Sequence, residues 1–91
     1  MEVTYHKKFK KALEKQPERV QGTFFEVLDR FIADPSSHAL RDHALRDHAL
    51  SGRYQGVRSF DVAWDVRVLY CYQDAATVQL LNIGTHAQLY G

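Results

Sequence analysis

The chain has 91 residues, 45% of them hydrophobic and 25% charged, which predicts one globular domain rather than a disordered segment. Its single cysteine excludes a disulfide framework and a zinc site built from several thiolates. The 12 Lys and Arg residues against 11 Asp and Glu give a net charge of +1, which is small for a broad nucleic-acid-binding surface. Because no long apolar run and no apolar leader segment is visible, we expect a cytoplasmic protein without membrane association.

The first third of the sequence predicts a short strand followed by two helices. Residues 1–5 contain strand-forming side chains, and Phe9 and Leu13 stand one helical turn apart within residues 6–16. Pro17 suits the start of a second helix, which Asp34-Pro35 would end. The apolar residues of this second helix recur at helical spacing, namely Val20, Phe24, Val27, Leu28 and Phe31. The two helices are predicted to form an antiparallel hairpin.

Basic residues concentrate on the predicted first helix. Lys7, Lys11 and Lys15 follow one another at four-residue spacing, so they form one row along the side away from Phe9. Two interpretations are open. The row is either a solvated helix face of ordinary lysines, or a surface that contacts the phosphates of RNA.

A pentapeptide recurs in residues 38–52, which read HALRD, HALRD and HALSG. The histidines at positions 38, 43 and 48 are five residues apart, and a helix would turn neighbouring ones away from each other by about 140°. This spacing does not suit a metal site, so we interpret the repeat as a tandem duplication that lengthens the connection between helices and sheet. The longer connection would also allow the sheet half to exchange between two copies of the chain, giving a homo-oligomer.

After Gly52 the pattern changes to an alternation of apolar and polar residues. Strands are predicted over 54–63, 66–72 and 77–83, joined as sequential antiparallel hairpins. Cys71, within the second of these, is predicted to be a small core residue rather than a nucleophile. The predicted fold is α+β, one domain over residues 1–91. It has an N-terminal strand and a two-helix hairpin packed on an antiparallel sheet of about four strands.

A few polar side chains in the predicted sheet are of types that take part in catalysis. Asp61, Asp65 and Arg67 flank the central hairpin, while His86 and Tyr90 stand four residues apart near the C-terminus. Histidine exchanges protons near neutral pH, arginine stabilises the charge of a phosphate, and tyrosine stacks on a base. By residue type alone, these side chains are equally typical of the solvent face of a small sheet.

Four segments in order carry a resemblance to a known family. They read DHALSG (47–52), YQGVRS (54–59), DVRVLY (65–70) and IGTHAQLYG (83–91). Their combination resembles the RelE/ParE toxin superfamily of bacterial type II toxin–antitoxin systems, especially its YafQ-like, or RelE/StbE-type, branch. The resemblance covers the C-terminal half, whereas the N-terminal half agrees only in its layout. It implies the RelE-like fold, which is similar to that of microbial ribonucleases.

The resemblance implies a ribosome-dependent mRNA endonuclease that inhibits translation. Such toxins need no metal or other cofactor, because the ribose 2′-OH attacks the adjacent phosphate and leaves a 2′,3′-cyclic phosphate and a free 5′-OH. The implied partners are a cognate antitoxin protein, the ribosome and mRNA. Any exposed members of one aromatic set are candidates for antitoxin contact: Tyr5, Phe9, Phe24 and Phe25.

Roles carry over from the resemblance residue by residue. His48 matches the histidine at the entrance to the sheet, because it alone among the repeated histidines is followed by Leu-x-Gly. His86 matches a candidate acid or base, Tyr90 an aromatic that contacts the substrate, and Arg67 an arginine that stabilises the phosphate. Asp65 lies at the acidic position before the strand. The predicted catalytic set is His48, Asp61, Asp65, Arg67, His86 and Tyr90; the predicted RNA-binding set is Lys7, Lys11, Lys15, Arg53 and Arg58; no metal ligand is predicted.

Two positions depart from the YafQ-like pattern. Asp61 stands where that branch usually has a histidine, and Asn82 stands where an arginine often precedes the Gly-Ser/Thr-His motif. Loss of an imidazole and a guanidinium predicts slower cleavage, since a positioned acid or base contributes about 10²–10⁴-fold. Two alternatives therefore stay open: a weak or silent member that mainly partners an antitoxin, and a ParE-type toxin that acts by binding DNA gyrase.

Overall fold

The computed structural model describes residues 1–33 and 56–90, together with the backbone of residues 48–49. The elements are β1 (Glu2–Tyr5), α1 (Lys7–Glu14), α2 (Glu18–Ala33), β2 (His48–Ala49), β3 (Arg58–Ala63), β4 (Val66–Asp74), β5 (Thr77–Gly84) and α3 (His86–Tyr90). This order confirms the predicted strand, two helices and three sequential strands. The predicted lengthening and exchange of the segment 38–52 fall outside the described residues, apart from β2, and so does Arg53.

The strands form one sheet in the order β1-β5-β4-β3-β2. Its three long strands, β3, β4 and β5, are antiparallel as predicted. β1 instead runs parallel to β5, with Glu2 opposite Thr77 and Tyr5 opposite Leu80. The sheet is therefore mixed and five-stranded, rather than antiparallel with about four strands. The difference arises because β1 pairs with a strand more than seventy residues away, which no local pattern reveals.

Helices α1 and α2 cover one face of the sheet and form the core with it. Phe9 of α1 contacts Phe24 of α2 at a ring-centroid distance of 5.3 Å. Phe31 lies 5.2 Å from the ring of Phe60 and 5.0 Å from that of Tyr70, both on the sheet. All five rings are fully buried, and burial of a large apolar side chain typically stabilises a fold by about 1.5–3 kcal/mol.

This core separates the buried from the exposed aromatic residues and corrects the expectation for Cys71. Phe9 and Phe24 are buried and so are not available for antitoxin contact, whereas Tyr5 and Phe25 stay exposed. Cys71 is only partly buried, because it follows the core residue Tyr70 on β4 and successive strand residues point to opposite faces. No helix among the described residues is long and apolar enough to span a membrane.

Candidate active site

The sheet face opposite α1 and α2 carries a charged pair. Asp61 of β3 lies opposite Arg67 of β4, which in turn lies opposite Gly84 of β5. Residues directly opposite one another share a face, and the neighbouring Phe60 points into the core. Arg67 Nε is 3.3 Å from Asp61 Oδ1, with the two side chains 27% and 14% exposed. The guanidinium is thus held by a carboxylate in a partly buried position, next to the buried Ser59 and Leu69 on the same face.

The hairpin between β3 and β4 connects this pair to the C-terminal helix. Its two connecting residues are Trp64 and Asp65. Asp65 has a φ of 57°, a left-handed conformation that aspartate tolerates better than most residues. Its Oδ1 accepts a hydrogen bond from the backbone N–H of His86 at 3.3 Å. This contact gives Asp65 a positioning role at the start of α3.

The short helix α3 begins with a capping box. The Thr85 hydroxyl accepts from the Gln88 N–H at 3.1 Å, and Gln88 Oε1 accepts from the Thr85 N–H at 2.8 Å. Gln88 Oε1 also accepts from Gln16 Nε2 at 3.1 Å. Gly84 allows this close approach, because a Cβ there would lie 2.9 Å from Gln88 Oε1. These bonds fix His86 as the first residue of the helix.

His86 and Tyr90 form an aromatic pair one helical turn apart. Their ring centroids are 4.9 Å apart. The His86 side chain is exposed and that of Tyr90 is half-buried. An exposed imidazole beside an arginine-bearing strand can exchange a proton with a bound phosphate ester.

A basic cleft lies beside α3. Lys8, Lys11 and Lys15 line a cavity of about 420 Å³ together with Asn82 and Gln88. Two members of the predicted lysine row, Lys11 and Lys15, line this cleft, and Lys8 lines it with them. At 3.6 residues per turn, position 8 aligns with positions 11 and 15 as well as position 7 does. Contact of the row with RNA stays a prediction.

Asn82 of β5 lines both this cleft and a second cavity. It lies opposite Leu69, one step along the sheet from the pairing of Arg67 with Gly84. Asn82 also lines an adjoining cavity of about 250 Å³ with Lys8 and Leu89. Val57, Leu69 and Leu81 line this second cavity too, so Asn82 is a polar group within a largely apolar surface there.

The remaining predicted residues lie elsewhere or are described only in part. Arg58 faces the side covered by the helices, where its Nε donates to the Tyr70 hydroxyl oxygen at 3.3 Å, so it does not share the face of Asp61. The backbone of His48 pairs with Ser59, two residues before Asp61. Among the described residues, no group of three or more His, Cys, Asp or Glu side chains is placed to hold a metal ion.

Trp64, a prominent side chain near the site, was not among the predicted site residues. Trp64 is 95% exposed at the tip of the hairpin. The available signal was the gap between the predicted strands, which ended at residue 63 and resumed at residue 66. An aromatic residue in a two-residue connection has no core to enter, so its position alone indicates exposure.

Comparisons with known structures define the class of the fold. The crystal structure of YafQ from E. coli strain BL21(DE3) is 21% identical, with a TM-score of 0.82 over 99% of this chain and 98% of that one. YafQ in the E. coli DinJ–YafQ complex gives 21% and 0.81 over 99% and 98%. The YoeB/ParE toxin from Agrobacterium tumefaciens gives 12% and 0.75 over 94% and 99%. The chain therefore has the fold of the RelE/YafQ toxin superfamily.

The family follows from the sequence. The family model described as a bacterial toxin of type II toxin–antitoxin system, YafQ, matches residues 1–91, so the chain belongs to the YafQ toxin family. The match confirms the resemblance and extends it to the N-terminal half. A search among curated protein sequences gave no significant match.

Proposed function

We propose that this toxin is a metal-independent endoribonuclease that cuts mRNA on the ribosome. The observation that supports the proposal is that Arg67 lies opposite Gly84, two residues before His86, whose ring lies beside that of Tyr90. The lysine-lined cleft beside α3 would supply positive charge for the RNA backbone, and Arg67 and His86 would supply groups for phosphate chemistry. Membership of the YafQ toxin family supports the same reaction.

The proposed reaction is an internal transesterification. The 2′-OH loses its proton and its oxygen attacks the neighbouring phosphorus. The bond from phosphorus to the 5′-oxygen then breaks, and the leaving oxygen gains a proton. Arg67 would stabilise the charge that develops on the phosphate, since donors to a phosphate in a partly buried site are strong. His86, exposed at the start of α3, would transfer one of the two protons, and His48 is proposed for the other. Tyr90 would contact the substrate beside His86.

The charged pair on the sheet favours slow cleavage. Asp61 occupies the guanidinium of Arg67 at 3.3 Å, so a substrate phosphate must compete with a carboxylate for it. Asp61 also repels a phosphate directly. These effects support a toxin with reduced activity compared with a relative that has a histidine at position 61.

A cognate antitoxin is the proposed protein partner. E. coli YafQ is found in complex with DinJ, and a corresponding antitoxin would neutralise this chain in the cytoplasm. An apolar groove of about 260 Å³ between α1 and α2 is lined by Tyr5, Leu13 and Phe25, of which Tyr5 and Phe25 are the exposed members of the predicted contact set. Exchange of sheet halves through residues 38–52 stays a prediction, which the mass of the purified chain in solution tests.

The experiment that tests the nuclease is induction of the chain in a bacterium, followed by mapping of transcript 5′ ends. We expect cuts in translated mRNA, with 5′-OH ends, that disappear in His86→Ala. Glu26→Ala, an exposed change on α2, is the matched control and keeps the cuts. Two results contradict the proposal. Growth arrest with DNA damage signalling that His86→Ala leaves unchanged identifies a gyrase-binding toxin, and absence of arrest identifies a silent member.

A further inference from the structure

Trp64 is the only tryptophan of the chain, and the fold makes almost no use of it. Its side chain is 95% exposed, against 50% for Phe25 and 45% for Tyr72, the next most exposed large apolar side chains among the described residues. An indole that contacts so little protein contributes little to packing. Its large flat surface is available to something that binds.

The position of Trp64 is fixed by its surroundings. It is followed at once by Asp65, whose carboxylate accepts the His86 N–H. The strands on either side are paired up to the turn, with Ala63 opposite Val66 and Asp61 opposite Arg67. The indole therefore stands at the rim of the candidate active site, on a short connection tied to both the charged pair and the start of α3.

We propose that Trp64 is a stacking platform for an unpaired base of the RNA substrate, next to the phosphate at the active site. This inference rests on the proposed function and extends it to a base contact. Bases of single-stranded RNA are free to stack on aromatic side chains, and stacking accepts any base because each has a π face. Arg67 would hold the phosphate while Trp64 holds a base next to it.

The neighbours of Trp64 argue against an apolar peptide as its partner. The described side chains nearest to it along the two strands include Asp61, Asp65 and Arg67, all of them charged, while Val62 and Val66 are buried. The core of a protein–protein interface is depleted in charged residues. The exposed apolar residues Tyr5 and Phe25 line an apolar groove beside α1 instead.

Fluorescence tests the contact directly, because Trp64 is the only tryptophan of the chain. The probe is a single-stranded RNA oligonucleotide with 2′-O-methyl riboses, which cannot be cut, and its abasic counterpart is the control. We expect the intact oligonucleotide to quench the fluorescence of Trp64 at saturation and the abasic one to leave it nearly unchanged. Absence of quenching by the intact oligonucleotide overturns the proposal. So does a change in Trp64 fluorescence that an antitoxin chain causes and RNA does not.

Two variants separate stacking from apolar contact. Trp64→Leu keeps an apolar side chain but loses the flat ring, and should weaken binding of a labelled oligonucleotide by about 5- to 150-fold, as loss of one stacked base does. Trp64→Phe keeps a ring and should retain most of the affinity. Because the side chain is exposed, both variants should fold, which circular dichroism verifies. Equal affinities for the two variants and the original chain overturn the proposal.

Cleavage in a translating extract distinguishes this inference from the nuclease proposal. If the original chain cuts mRNA and Trp64→Leu cuts it with the same kcat/KM, stacking is wrong and the nuclease stands. If the original chain does not cut but RNA still quenches Trp64, the nuclease is wrong and the base contact stands. A loss of kcat/KM in Trp64→Leu that Trp64→Phe restores supports both.

Discussion

At the scale of single residues, the proposed phosphate contact depends on the ion pair between Arg67 and Asp61, because a phosphate would compete with this carboxylate for the guanidinium. We expect Asp61→His to cut mRNA at least about 10-fold faster than Asp61→Asn, because a positioned acid or base contributes about 10²–10⁴-fold. Both changes release Arg67 from the carboxylate 3.3 Å away, so Asp61→Asn controls for that effect. Rates on a translated transcript measure the difference. Equal rates would mean that a side chain at position 61 does not reach the reacting atoms.

Asp65 combines an unusual backbone conformation with a hydrogen bond. Asp65 has a φ of 57°, a conformation that costs an ordinary side chain about 1–2 kcal/mol. Asp65→Ala should therefore lower the free energy of unfolding by about that amount. Asp65→Asn retains both the tolerance for this conformation and an oxygen that accepts the His86 N–H. Its stability should therefore stay within about 0.5 kcal/mol of the original chain. Urea unfolding measures both, and equal losses would contradict the role of the turn.

At the scale of helices and strands, local periodicity predicted α1, α2 and the three long strands. Their boundaries follow from signals within a few residues, such as Pro17, whose carbonyl accepts the N–H groups of Val20 and Gln21 at the first turn of α2. The parallel pairing of β1 with β5 was not predictable, since it depends on packing between the two ends of the chain. The hydrogen bond between Asp65 and the His86 N–H was not predictable for the same reason. The resemblance named both residues, but not the bond between them.

Helix α2 offers a stabilising change. Gly22 lies in its interior and is exposed, and a Cβ there would meet no heavy atom within 4 Å. We expect Gly22→Ala to raise the free energy of unfolding by about 1 kcal/mol, because glycine is about that much less favourable than alanine in a helix. Gly56→Ala is the contrasting variant. Because Gly56 has a φ of 85°, this change should lower the free energy of unfolding. A thermal melt that shows no increase for Gly22→Ala would contradict this account.

For the whole molecule, the distribution of charge matters more than the sum. The net charge is +1, yet Lys8, Lys11 and Lys15 line one cleft beside α3, and no carboxylate appears among the described residues that line it. Lys10 lies on the same helix but lines the apolar groove on the other side, with Tyr5. Local counterion release depends on the phosphates contacted, so a nearly neutral chain can still bind RNA through one cleft.

Two variants that change the net charge equally test this distribution. Lys11→Gln and Lys10→Gln each remove one positive charge from α1, and only Lys11 lines the cleft. We expect Lys11→Gln to weaken RNA binding and to reduce the slope of log affinity against log salt by about 0.7, the value for one phosphate contact with a single strand. Lys10→Gln should change neither. Titration of a labelled, uncleavable oligonucleotide at several salt concentrations measures both slopes. If the two variants lose the same affinity, net charge rather than the cleft controls binding, and the proposed RNA path beside α3 is wrong.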